Sequence, residues 1–172
     1  MILGMSISTF TSLHVILSLI GIAAGFVVVA GMLGSKRLEG WTGLFLVTTI
    51  LTSVTGYFFP RDQVLPSHIV GALSLAVLAI AVLAFYCYRL GHSWRWIYVV
   101  TGLIALYLNV FVAVAQAFQK LPFLNPLAPK GSEPPFVIAQ VVVLATFIAI
   151  GAIALRAFHP RTQPQELHAV KI

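Results

Sequence analysis

The chain has 172 residues, of which 60% are apolar and only 8% charged, with a mean hydropathy of +1.02 and a formal net charge of +6. A water-soluble domain carries about a quarter of its residues charged, so this composition excludes one. It also excludes intrinsic disorder, a nucleic-acid binder and a disulfide-stapled scaffold, which need polarity, broad basic surfaces or paired cysteines.

A polytopic membrane protein remains, and the sequence predicts an all-α bundle of five transmembrane helices forming a single domain. The spans fall at 10–33, 41–59, 67–88, 94–118 and 136–158, followed by a short polar tail at 159–172. Each span approaches the ~20 apolar residues needed to cross a bilayer. Every proline lies between or after these segments, as expected of residues that break helix interiors. The first span has no preceding Lys or Arg and is longer than a signal-peptide core, so it reads as a retained helix.

Taking the connections in chain order gives an orientation. The N-terminus and the second and fourth loops carry Arg61, Lys120 and Lys130; the other side carries Lys36, Arg37, Arg89, Arg95, Arg156, Arg161 and Lys171. The positive-inside rule then predicts an outside N-terminus and a cytoplasmic C-terminus. Trp41, Trp94, Trp96, Tyr86 and Tyr98 are expected at the cytoplasmic headgroups, with Tyr57 as their outer counterpart.

Small residues predict helix contacts, within the bundle or equally between copies of the chain. They are Gly21 and Gly25 in the first span, the face of Thr48, Thr52 and Thr55 in the second, and Ala145, Ala149 and Ala152 in the fifth. The threonine hydroxyls are expected to bond the preceding turn or a neighbouring helix. Cys87, the single cysteine, is expected as a buried thiol, with palmitoylation at the cytoplasmic end of the third span as the alternative.

Polar side chains inside hydrocarbon are costly and are the best functional signal in such a sequence. His14 near the start of the first span and His68 at the start of the third both fall toward the outer side, on stripes shared with Ser18 and Gly21 and with Gly71. Asn109 and Gln116 on the fourth span and Gln140 on the fifth are expected to join them in an outer-leaflet polar pocket. Two imidazoles on separate helices suit axial ligation of haem b, with Arg61 and Lys120 placed for its propionates. They also suit hydrogen bonds to a quinone, or a transition metal with Asp62 or Glu133 as a further ligand. The plain alternative is that the histidines bond neighbouring carbonyls and hydroxyls within an ordinary bundle. His92 and His159 lie outside the helices on the cytoplasmic side and make poor axial ligands. The connection at 119–135 is proline-rich yet apolar, and is expected to rest on the outer face as a lid or at the headgroups.

The segments TSVTGYFFP at 52–60, LPSHIVG at 65–71, WRWIYVVTGLIALYLNVFV at 94–112 and SEPPFVIAQ at 132–140 resemble those of small uncharacterised integral membrane proteins of proteobacteria. The resemblance implies a bacterial inner-membrane location and places His68, Asn109, Glu133 and Gln140 within recurring segments, but it supplies no activity. The expected function is therefore that of a non-catalytic accessory subunit or small-ligand binder, whose partners are the lipid bilayer and a membrane complex or further copies of the chain. The alternatives are a haem or quinone electron-transfer module using His14 and His68, and an oligomeric channel or small-solute transporter lined by the second-span threonines.

Overall fold

The computed structural model describes residues 4–59 and 66–160, and among these the chain is all-α. The helices are α1 (Ile7–Leu33), α2 (Glu39–Gly56), α3 (Pro66–Val82), α4 (Trp94–Lys120) and α5 (Pro134–Ala157). A π-helical turn, Leu83–Cys87, extends α3, and a short 3-10 turn, Asn125–Leu127, interrupts the α4–α5 connection. Arg61 and the C-terminal tail beyond Pro160 lie outside the described residues.

The helix boundaries follow from local chemistry. Ser6 caps α1 by accepting from the Thr9 amide at 3.1 Å. Pro66 opens α3, and Pro134 and Pro135 open α5, where the missing N–H costs nothing because first-turn amides have no helical partner. At the end of α1 the chain reverses through Ser35 at φ 54°. The α3–α4 connection is tighter still, with Arg89, Leu90 and His92 all in the left-handed region and Leu90 held there by burial.

Helices α1 to α4 form a closed ring, α1 against α2, α2 against α3, α3 against α4 and α4 back against α1, with α5 packed outside on α4 and α1. The ring closes tightly where α1 has glycines. A Cβ on Gly25 would lie 2.5 Å from Leu106 Cδ1 and 3.0 Å from Phe45 Cε2, so side chains of α2 and α4 press directly against the α1 backbone here. The Gly21–Gly25 contact expected from the sequence is therefore present.

Four helical units are long and apolar enough to cross a membrane: α1, His68–Cys87, α4 and α5. Helix α2 is the exception, at 18 residues and rich in threonine. Its hydroxyls are internally satisfied, with Thr48 donating to Leu44 O at 2.7 Å, Thr52 to Thr48 O at 2.8 Å and Thr55 to Leu51 O at 2.7 Å. This is the back-bonding expected for hydroxyls on a helix that is short of other acceptors.

Three expectations are corrected. The alanine face of α5 is not its contact face within the bundle: Ala145, Ala149 and Ala152 are exposed, while Gln140, Phe147 and Ala154, spaced by seven, are buried. Bulk wins here, because Phe147 packs edge-on to Tyr107 with ring centroids 5.7 Å apart and also reaches Phe26. Cys87 is exposed, since the π-turn turns Ala84 and Phe85 inward and carries Tyr86 and Cys87 outward. Tyr98 does not present its ring to lipid headgroups but is 2% exposed within the bundle, with its hydroxyl 3.0 Å from Thr42 Oγ1.

The end of the bundle opposite the N-terminus is tied by arginines. Arg95 donates to Phe158 O at 2.6 Å, satisfying a carbonyl at the end of α5, and the His159 amide donates to Ser35 Oγ at 2.8 Å. Arg37 lies 4.6 Å from the Phe85 ring centroid and pairs with Glu39 at 3.1 Å.

Candidate functional site

A cavity of about 110 Å³ lies on the axis of the four-helix ring, toward the end that bears the N-terminus. His14 and Ser18 come from α1, Thr52, Ser53 and Gly56 from α2, His68, Gly71 and Ser74 from α3, and Asn109 from α4. Val70, Leu108 and Val112 supply apolar wall. The structure thus brings together His14, His68, Ser18 and Asn109, four residues singled out from the sequence.

The cavity is deep because its polar groups are staggered along the helices. His14 stands seven residues beyond the start of α1, ~10 Å along its axis, and Asn109 stands eleven residues before the end of α4, ~16 Å in. Asn109 is buried and donates to Thr49 Oγ1 at 3.2 Å, and a Cβ at Gly21 would meet Thr48 and Thr49 Oγ1 at 3.1 Å. Immediately beyond lies the apolar closure of Phe45 and Leu106 against Gly25, both side chains being buried. The cavity is blind at mid-bundle.

Each histidine is held by a neighbour. Nδ1 of His14 lies 2.8 Å from Thr55 Oγ1 on α2, and its ring stands edge-on to Phe59 with centroids 5.2 Å apart. The Tyr57 hydroxyl donates to the backbone carbonyl of His68 at 2.7 Å, and the Tyr57 and His68 rings are 5.5 Å apart. Gly71 is what admits Tyr57, because a Cβ there would lie 3.2 Å from the tyrosine oxygen. Ser53 and Ser74 bond across the α2–α3 contact at 3.2 Å.

Other expected site residues lie elsewhere. Gln116 is exposed on α4, and Lys120 is exposed at its end; neither lines the cavity. Gln140 is buried but donates to Phe111 O at 3.1 Å, making it a strap between α5 and α4, and its Oε1 is buried with no hydrogen bond among the described residues. No residue of the α4–α5 connection lines the cavity, and Phe123 and Leu127 there are exposed, as suits a connection resting at the headgroups better than a lid.

Glu133 acts on that connection instead. Burial works against its charge, but the backbone N–H groups of Lys130 and Ser132, each 3.0 Å from its carboxylate, together with its own amide and the Lys130 charge, hold its pKa below the ordinary value. The ordering of this turn is therefore present above the ordinary carboxylate range and is lost as pH falls through the lowered value. Amide NMR shifts of Lys130 and Ser132 should follow one low-pH titration that disappears in Glu133→Gln.

Sequence reasoning missed Tyr57, Ser53, Ser74 and Thr49. Tyr57 was assigned to an interface by residue type, and the serines lacked any signal beyond their presence in apolar helices. Among the described residues no group of three or more His, Cys, Asp or Glu side chains is placed to hold a metal ion. The chain matches no family model, no curated protein and no solved structure, so the reading of the site rests on its own geometry.

Proposed function

We propose that the chain is a five-span protein of a bacterial inner membrane that binds a small ligand in the axial cavity, as a non-catalytic binder or the accessory subunit of a membrane complex. One observation carries this reading. Polar side chains from four helices converge on a single blind cavity at a depth where a membrane bundle otherwise buries apolar residues.

The membrane setting is supported by the outer surface. Ile138, Val141, Val142, Ile148 and Ile153 leave α5 with an exposed apolar face that water would penalise and lipid would not. Counting α2 as a fifth span is supported by its threonines, which face the ring, and by its exposed residues, which include Leu44, Val47 and Leu51. The excess of Lys and Arg at the opposite end supports a cavity mouth on the outside and a tail in the cytoplasm.

Two other readings are weaker on the same geometry. Haem b gains support from having His14 and His68 on one cavity, but about 110 Å³ is well below the ~300 Å³ at which sites for drug-sized ligands begin, and a macrocycle is larger than those. A pore through one chain is opposed by the closure at Gly25, Phe45 and Leu106.

Ser18→Leu tests the proposal. Ser18 lines the cavity and makes no hydrogen bond among the described residues, so leucine fills space without stranding a partner. A small molecule that co-purifies with the wild-type protein, read by mass spectrometry of the extract, should be lost from the variant at unchanged helix content. Equal content in both would overturn the proposal.

A further inference from the structure

Resting on the binding reading above, we propose that the cavity takes the single ring of a phenol or hydroquinone, whose hydroxyl donates a hydrogen bond to Nε2 of His14. The Thr55 hydroxyl lies 2.7 Å from Leu51 O and 3.2 Å from Thr52 O, so its one proton is given to its own helix. Toward His14 the Thr55 oxygen can then only accept, and Nδ1 at 2.8 Å must carry the proton. A neutral imidazole has one N–H, which leaves a lone pair on Nε2. Nε2 has no hydrogen bond among the described residues and is not among the buried unpartnered atoms, so it is accessible to a ligand, and His14 lines the cavity. A hydroxyl satisfies it. A ketone or ether oxygen sets lone pair against lone pair.

Size and walls narrow the class. A volume of about 110 Å³, below the ~150 Å³ of a cavity known to hold benzene, limits the occupant to a single ring with one edge left in the open mouth. Val70, Leu108 and Val112 face such a ring with apolar surface, while Ser18, Ser74 and Asn109 are available to a second ring oxygen. Among the described residues no carboxylate lines the cavity, so a cation there would meet no counter-charge from them. The same chemistry is offered by a free phenol entering from water and by the hydroquinone head of a membrane lipid.

The test uses the full-length protein in nanodiscs, under reducing conditions, titrated calorimetrically with phenol, hydroquinone, a decyl-tailed hydroquinone and 1,4-dimethoxybenzene. The hydroxyl-bearing rings should bind at least ~10-fold tighter than the ether, because the ether leaves Nε2 unpaired. Tighter binding of the tailed compound than of hydroquinone assigns a lipid source, and the reverse order a soluble one. Thr55→Val releases Nδ1, lets the proton move to Nε2 and should narrow the hydroxyl-to-ether ratio several-fold, which a purely structural role for Thr55 would not do. Equal binding of ether and hydroxyl rings, or no binding of any ring, overturns this inference; the binding proposal itself falls only if Ser18→Leu leaves the co-purifying molecule unchanged. Should Thr55→Val fail to fold, ¹⁵N NMR of His14 in the wild-type protein decides: a proton on Nδ1 supports the inference and a proton on Nε2 overturns it.

Discussion

Gly25→Leu is expected to destabilise the bundle by about 3 kcal/mol, at the upper end of what overpacking a core ordinarily costs. The reason is local crowding with no escape. Even the first added carbon would fall 2.5 Å from Leu106 Cδ1 and 3.0 Å from Phe45 Cε2, and both side chains are fully enclosed. Neither can swing into solvent or lipid, so α1 must move off α2 and α4, which also opens the floor of the cavity. Gly40→Ala is the matched control, because nothing lies within 4 Å of its added carbon. Unfolding followed by circular dichroism in mild detergent should show a large loss for the first variant and none for the second.

Tyr98→Ala is expected to cost about 3–5 kcal/mol, the range for deleting a buried aromatic ring. Tyr98 is among the largest fully buried side chains, with its ring centroid 5.0 Å from that of Phe85 and 6.0 Å from that of Phe158. It therefore fills the junction of α4 with the π-turn and the end of α5, and its hydroxyl reaches α2 through Thr42 at 3.0 Å. Tyr98→Phe separates the two contributions. Keeping the ring and losing one hydrogen bond should cost only about 1 kcal/mol. Comparable losses for the two variants would mean that the hydroxyl, not the ring, holds this junction.

The distribution of these contacts explains what could be read from the sequence. Helix positions were legible because apolar runs bounded by proline leave little choice, and the structure shifts their ends by only a few residues. Gly21 and Gly25 were legible as a contact because small residues at that spacing permit close approach. The same rule failed for the alanines of α5, since a peripheral helix packed through Phe147 does not need close approach. Half of the cavity was legible in the same way. His14, Ser18, His68 and Asn109 are polar residues in otherwise apolar helices, and costly placement marks them. Their partners were not, because Thr55 as an acceptor for His14 and Tyr57 over Gly71 depend on how α2 is rotated against α1 and α3. That rotation has no one-dimensional signature. The π-turn that exposes Cys87 has none either.

The central claim is a blind cavity that opens toward the outside, and substituted-cysteine accessibility addresses it most directly. In a Cys87→Ser background, Ser18→Cys and Ser74→Cys line the cavity, whereas Thr42→Cys lies beyond the closure at Gly25, Phe45 and Leu106. A small membrane-impermeant thiosulfonate added to intact spheroplasts should modify the first two and spare the third, with prior occupation by a cavity ligand slowing the reaction. Failure to modify Ser18→Cys and Ser74→Cys from outside, or their modification only from the cytoplasmic side of inverted vesicles, would contradict the account.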